Sequence, residues 1–183
     1  MSQIKVNSII PVAGHITGGG GGIIQAKQTV RTSTFSQTLA RAAISNSFMS
    51  IDFTPLKSNS ILKLTAFMCV GCGPVGGLPR AGFIIAADGT TISGATGDQG
   101  PSSQGRVLSQ SSTTDSNEQF GICNLGGTYF HTVSNTNQVT YSVKIVSVEG
   151  DQVDFYVNRA YDNTNAGYLA RSISTLTIEE ISV

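Results

Sequence analysis

The chain has 183 residues, enough for one domain, or one domain with a short appendage, and for a core that buries roughly 70% of the unfolded surface. Only 12% of the residues are charged, and eleven Lys and Arg balance eleven Asp and Glu to a net charge of zero. That excludes the basic footprint of a nucleic-acid binder. It also argues against a helical bundle, whose exposed faces need Glu, Lys and Arg, in favour of a β-rich, turn-rich surface.

Residues 1–15, MSQIKVNSIIPVAGH, read as an extended arm. Ile4, Val6 and Ile10 alternate with polar positions as in a strand with one buried face, and Pro11 and Gly14 end the pattern. A lone strand of this length is not stable in water, so Ile4, Val6, Ile10 and Pro11 are the expected docking contacts with a partner. The stretch does not read as a signal peptide: it has one lysine, Lys5, and its apolar run is broken by Asn7, Ser8 and Pro11. No run in the chain approaches transmembrane length, and no membrane partner is expected.

A hinge follows over residues 16–22, with Gly18, Gly19, Gly20, Gly21 and Gly22 in succession. Five glycines reach roughly 10–15 Å as a flexible chain. A phosphate-binding loop would end in Gly-Lys-Ser/Thr before a helix; here Ile23, Ile24 and Gln25 follow.

Residues 23–183 read as the folded domain, built from strands and turns. Period-2 patterns on β-favouring residues mark strands at Ile23–Arg31, Phe48–Thr54, Ile61–Val70, Arg80–Ala87, Gly105–Ser112, Val139–Val148, Val153–Asn158 and Ser172–Ser182. Phe120–Val133 reads as one or two strands broken at Gly126-Gly127. Leu39–Ile44 alone has helical preference and reads as a turn of helix or an irregular strand start. Glu149-Gly150-Asp151 predicts a hairpin, and Asp88-Gly89, Gly94–Gly100 and Asn124–Gly127 predict loops. The polar stretch 94–105 is expected to be an exposed recognition loop, with Thr96, Asp98, Gln99, Ser102 and Gln104 as the side chains offered to a partner. Eight to ten strands without strong helices between them imply an all-β antiparallel sandwich, with a jelly roll as the specific expectation.

Chemistry is harder to find. Cys69 and Cys72 have Cys-x-x-Cys spacing, but at the end of a predicted strand rather than a helix start, where a reactive thiolate would need to be. Cys123 and His131, the other conceivable zinc ligands, lie about fifty residues away with no second paired motif. Reduced, packed thiols are the expectation, with no metal and no cofactor. His15 and His131 are the only histidines, and no Gly-x-Ser-x-Gly nucleophile elbow accompanies them. The carboxylates Asp52, Asp88, Asp98, Asp115, Glu118, Asp151, Asp154 and Asp162 are scattered. Glu179 and Glu180 are adjacent on a strand and so point to opposite faces. No catalytic residues are assigned, and the chain is not expected to be an enzyme.

Several segments nevertheless carry a likeness. MSQIKVNSIIPVAG with the glycine run and Ile23-Ile24-Gln25, then Phe53-Thr54-Pro55 leading to Ser58-Asn59-Ser60-Ile61-Leu62, resemble virion structural proteins of cyanophages and related marine phages. Thr140-Tyr141-Ser142-Val143-Lys144, Tyr156-Val157-Asn158-Arg159 and the stretch Ser172–Ile181 are similar too. The likeness is missing from the middle, roughly 71 to 120. It implies a fibre, spike or capsid-decoration protein, made in the host bacterial cytoplasm and carried on the virion. Its implied partners are two further copies, in a homotrimer, and other capsid or tail proteins. The expected function is a structural one, with the arm docked and the β-domain projecting outward. Recognition of host surface polysaccharide is the alternative.

Overall fold

The computed structural model describes residues 22–73, 80–98, 105–112, 120–148, 152–164 and 169–183. Among them run eleven strands: β1 (Ile23–Arg31), β2 (Phe35–Leu39), β3 (Met49–Phe53), β4 (Ile61–Cys72), β5 (Arg80–Ala87), β6 (Thr90–Thr91), β7 (Ser109–Ser112), β8 (Cys123–Thr132), β9 (Val139–Ser147), β10 (Val153–Val157) and β11 (Ser174–Ile181). They form two antiparallel sheets, as the sequence predicts for an all-β sandwich. The arm residues Ile4, Val6, Ile10 and Pro11 and the hinge residues Gly18–Gly21 lie outside the described residues.

Each sheet is four lanes wide. In the first, β11 pairs with Ile61–Phe67 of β4 and β10 pairs with Val70–Cys72, so the two lie end to end along one side of β4. β1 and β2 follow one another along the edge beside them, and β8 covers the other side of β4. In the second sheet β9 lies between β3 and β5, and β6 and β7 share the far side of β5. Inward alternation fills the space between. Leu62, Leu64, Ala66, Met68 and Val70 of β4 face Tyr141, Val143 and Ile145 of β9, with Phe53, Phe83, Phe155, Leu176 and Ile178 completing the core.

The structure departs from the sequence expectations at several places, beginning with β2 and β6, which the sequence does not predict, and β7, which spans only Ser109–Ser112 of the expected Gly105–Ser112. β9 and β10 do not form the hairpin that Glu149-Gly150-Asp151 predicts: β9 belongs to one sheet and β10 to the other, and residues 149–151 themselves lie outside the described residues. β8 is not broken at Gly126-Gly127 but runs through both. A Cβ on Gly127 would sit 3.1 Å from Leu108 Cγ and 3.4 Å from Phe83, so that glycine makes room for its neighbours. Leu39–Ile44 ends β2 in a turn, with the Ala43 N–H on Ala40 O at 3.0 Å and Ala42 in the left-handed region at φ 56°. The chain then runs along β9, Ser45 N–H donating to Ile145 O at 2.9 Å, so tertiary pairing overrides the helical preference.

Three polar devices lock the fold. The first is Asn158, fully buried and left-handed at φ 63°, a conformation Asn tolerates better than most residues. Its Nδ2 donates to Arg31 O (2.9 Å) and Ser33 O (3.1 Å), and its Oδ1 accepts from the Ser174 hydroxyl (2.7 Å). Its backbone N–H donates to Cys69 O at 2.9 Å, and its carbonyl accepts the Ser172 N–H at 3.3 Å. It thereby ties the break between β1 and β2, the break between β10 and β11, and the middle of β4 together.

The second is Glu180, buried on the inner side of β11. It accepts from Gln25 Nε2 (2.7 Å), the Ser60 hydroxyl (2.7 Å), Leu56 N–H (2.8 Å) and Lys57 N–H (3.0 Å). Burial alone would raise its carboxyl; these donors outweigh burial and hold it below the ordinary carboxylate range. Glu179, on the opposite face, pairs with Lys63 at 2.7 Å.

The third is a seam between the edge strands β1 and β3. Gln25, Lys27 and Arg31 alternate along β1 and reach across the sandwich. Gln25 donates to Thr54 O at 2.8 Å, Lys27 to Asp52 O at 2.7 Å, and Arg31 to Phe48 O.

Two predictions follow from these locks. Asn158→Ala removes three side-chain hydrogen bonds and places alanine in the left-handed region, and is expected to cost about 3–5 kcal/mol in urea unfolding. Asn158→Gly should recover only the backbone share, about 1–2 kcal/mol. For Glu180, whose folded pKa is lowered, the linked stability is present above the ordinary carboxylate range and is lost as pH falls through the lower folded value. Calorimetry from about pH 7 to about pH 3 should therefore show the Tm gap between wild type and Glu180→Gln narrowing as acid is added. A gap independent of pH would contradict the role given to this carboxylate.

Candidate binding sites

One end of the sandwich holds a polar cup of about 230 Å³. It is built where strands from both sheets stop. β5 ends at Ala87 and turns through Asp88 (φ 46°) and Gly89 (φ 80°) into β6; two successive positive φ values make the tight hairpin turn that Asp-Gly predicts. β8 ends at Thr132, and residues 133–138 return the chain to the start of β9. Asp88, His131, Ser134, Asn135, Asn137 and Tyr141 supply its polar groups, and Pro55, Ala87, Val133 and Val139 an apolar side.

The positions of these groups are fixed by the backbone around them. Asp88 Oδ1 accepts the Thr140 N–H at 2.9 Å, and the Asp88 N–H donates to Thr140 O at 2.9 Å. Asn135 Oδ1 caps the Asn137 N–H at 2.9 Å. The His131 ring packs edge-on to Tyr141 at 5.9 Å between centroids and lies 6.4 Å from Tyr129. Burial holds the imidazole below its ordinary value, which keeps it neutral at neutral pH. Tyr141 is fully buried, and its hydroxyl has no hydrogen-bond partner among the described residues. Burial, with the Asp88 charge adding, pushes its pKa up to about 12, so the hydroxyl stays protonated.

A second depression, of about 330 Å³, lies on the outer face of the second sheet between Ala42 and Ile44 on one side and Thr91, Ser93, Thr96 and Arg106 on the other. The expected recognition loop contributes here. Ala95 is buried, Thr96 donates from Oγ1 to Ser93 O at 3.0 Å, and Arg106 Nε donates to Gly97 O at 3.1 Å. Thr96 is half-buried on the depression and Asp98 is exposed; Gln99, Ser102 and Gln104 lie outside the described residues. Ile84 of β5, outside the core cluster, is also buried.

Cys69, Cys72 and Cys123 are buried thiols outside any disulfide, as the sequence reading expects. Cys69 donates to Asn124 Oδ1 at 3.1 Å and Cys123 to Val70 O at 3.3 Å. A hydrogen bond with Cys72 holds the Cys123 thiol below its ordinary value, against burial, which raises it. Among the described residues no three of His, Cys, Asp and Glu cluster as metal ligands. Gly71, between the paired cysteines, has a packing reason: a Cβ there would lie 2.5 Å from Arg159 O and 2.8 Å from Ala160 Cα.

No protein-family model and no curated protein matches the chain. Among solved structures it is similar to the C-terminal domain of EclA, described as a sugar-binding protein, at 15% identity and a TM-score of 0.32, over 92% of this chain and 89% of that one. It is also similar to dimeric latent PorU from Porphyromonas gingivalis, at 13% identity and a TM-score of 0.33, over 92% of this chain and 20% of that one. Neither match bears on what this chain does.

The cup was not among the expected sites. Its polar residues are dispersed between positions 88 and 141, and only the Asp88-Gly89 turn carried a local signal. Gly71→Ala, in contrast, tests a motif the sequence made conspicuous. It should destabilise the fold by about 1–3 kcal/mol, because the clash is with backbone that cannot swing aside. Denaturant titration should show that loss even in a Cys69→Ser/Cys72→Ser background, where no thiol pair remains to be invoked.

Proposed function

We propose that the chain is a non-enzymatic structural protein of a bacteriophage particle, of the capsid-decoration, spike or tail-fibre type. In this reading residues 1–15 dock to the particle, residues 16–22 form the hinge, and the sandwich projects outward as one member of a homotrimer. The observation that carries it is the place in the fold of the segments that resemble marine-phage virion proteins. Residues 53–62 bring the donors of Leu56, Lys57 and Ser60 to Glu180, which lies in the closing stretch Ser172–Ile181. Tyr156–Arg159 contains Asn158, whose partners Ser172 and Ser174 lie in that same stretch. The likeness thus runs through the locks of the sandwich.

The lane order supports the same reading. Numbered along the chain, the lanes run 1-8-3-6 in one sheet and 2-7-4-5 in the other, an order we read as a jelly roll, a fold used in viral capsids.

Deletion of residues 1–15 supplies the test. The shortened protein should keep its strand-type circular dichroism but be missing from particles assembled in infected cells. Normal incorporation would overturn the docking role, and absence of the full-length chain from purified particles would overturn the reading itself. A second reading, recognition of host surface polysaccharide, is favoured by the polar cup.

A further inference from the structure

We propose that the outer face of the first sheet, carried by β1, β11, β4 and β8, is the surface through which three copies of this chain meet about a common axis. The proposal rests on the homotrimer of the structural-protein reading and names the surface the copies share.

Strand register builds the face. In an antiparallel pair, side chains directly opposite each other stand on one side of the sheet. Val30, Thr175, Phe67 and Gly126 therefore form one row across the four strands, and Ile23, Ile181, Ile61 and Thr132 form another. The alternate residues Leu62, Leu64, Leu176 and Ile178 are fully buried in the core, which makes these rows the outer side. Large apolar groups on it stay open to solvent: Ile23 is 57% exposed, Val30 49%, Phe67 42% and Phe130 57%. Between them lie short hydroxyl side chains satisfied by their own neighbours, Thr65 by Thr128 at 3.1 Å and Thr177 by Gln28 at 2.9 Å. A Cβ on Gly126 would lie 3.5 Å from Phe67 Cδ2, so the ring leans over the glycine.

Charge and size argue for copies of the chain itself as the cover. The charged side chains at these outward strand positions are Lys63 and Glu179, which pair with each other at 2.7 Å, so covering the face leaves no charge unpaired. Such a face has little field with which to hold a charged partner, and a chain of zero net charge does not repel its copies. Depletion of charge around exposed aromatic groups is the pattern of an interface centre. Four lanes at ~4.8 Å make the face about 19 Å wide, and seven residues along each strand make it about 24 Å long, on the order of 500 Å². Three such faces turned inward would cover on the order of 1,500 Å², the size of a standard interface. A triangle with sides of about 19 Å has its centre roughly 5.5 Å from each side, close to half the ~10 Å between packed sheets. Three copies thus fill the axis with their side chains and leave neither a clash nor a channel.

Sedimentation equilibrium on the full-length protein tests the proposal. Wild type should run at three times the 19.1 kDa of one chain. Phe67→Glu and, separately, Phe130→Glu place a carboxylate on the face without touching the core. Each should keep strand-type circular dichroism and raise the dissociation constant of the trimer at least about tenfold. Thr128→Arg, at an exposed hydroxyl in the middle of the face, should do the same and keeps the test decisive if either phenylalanine variant fails to fold. A wild-type monomer, an assembly of any other number, or a trimer untouched by all three variants overturns the proposal. So does a trimer that comes apart only when residues 1–15 are removed, which would assign assembly to the arm. The content of purified particles separates the two readings. A chain present on particles but monomeric in solution overturns the face and leaves the structural role standing. A trimer broken by the variants but absent from particles overturns the structural role and leaves the face standing.

Discussion

Asn158 is a residue in a backbone state that most side chains avoid, holding five hydrogen bonds in a dry interior. Two lanes of the first sheet are each made of two strands with a gap between them, and both gaps fall beside this one side chain. Without this amide, the half-buried Arg31 O at the edge between β1 and β2 would lose its donor. Without an acceptor for Ser174, β11 would start beside an unpaired hydroxyl. The excursion from residue 159 to residue 171 can therefore be long, because both of its ends are fixed by the same amide.

Glu180 solves a related problem at the other end of β11. A buried carboxylate is tolerable only when its charge is met by donors, and here those donors come from β1 and from the connection between β3 and β4. One carboxylate thus organises two backbone N–H groups and two side chains.

Much of the fold was legible. The alternation through Leu62, Leu64, Ala66, Met68 and Val70 gave both the strand and its buried face, because period-2 burial is local to one strand. The opposite facing of Glu179 and Glu180 was legible for the same reason. Glu149-Gly150-Asp151 misled because turn chemistry reports that the chain bends, not which sheet it bends into. β2 was missed because Gln37 occupies an inner position between Phe35 and Leu39; its side chain is engaged by the Asn46 N–H at 2.8 Å, a partner that no local pattern reveals. The cup was illegible because it exists only where Asp88, His131 and Tyr141, from three different strands or turns, meet at one end of two packed sheets.

The seam along β1 and β3 has a consequence for how many copies can live side by side. A sandwich normally exposes rows of carbonyls at its edges, and each row can recruit the edge of a neighbour. Here Gln25, Lys27 and Arg31 occupy Thr54 O, Asp52 O and Phe48 O on the β3 side. A sheet edge whose acceptors are already taken gives a passing strand little to pair with. Addition of a strand from another chain is therefore disfavoured along the β3 edge.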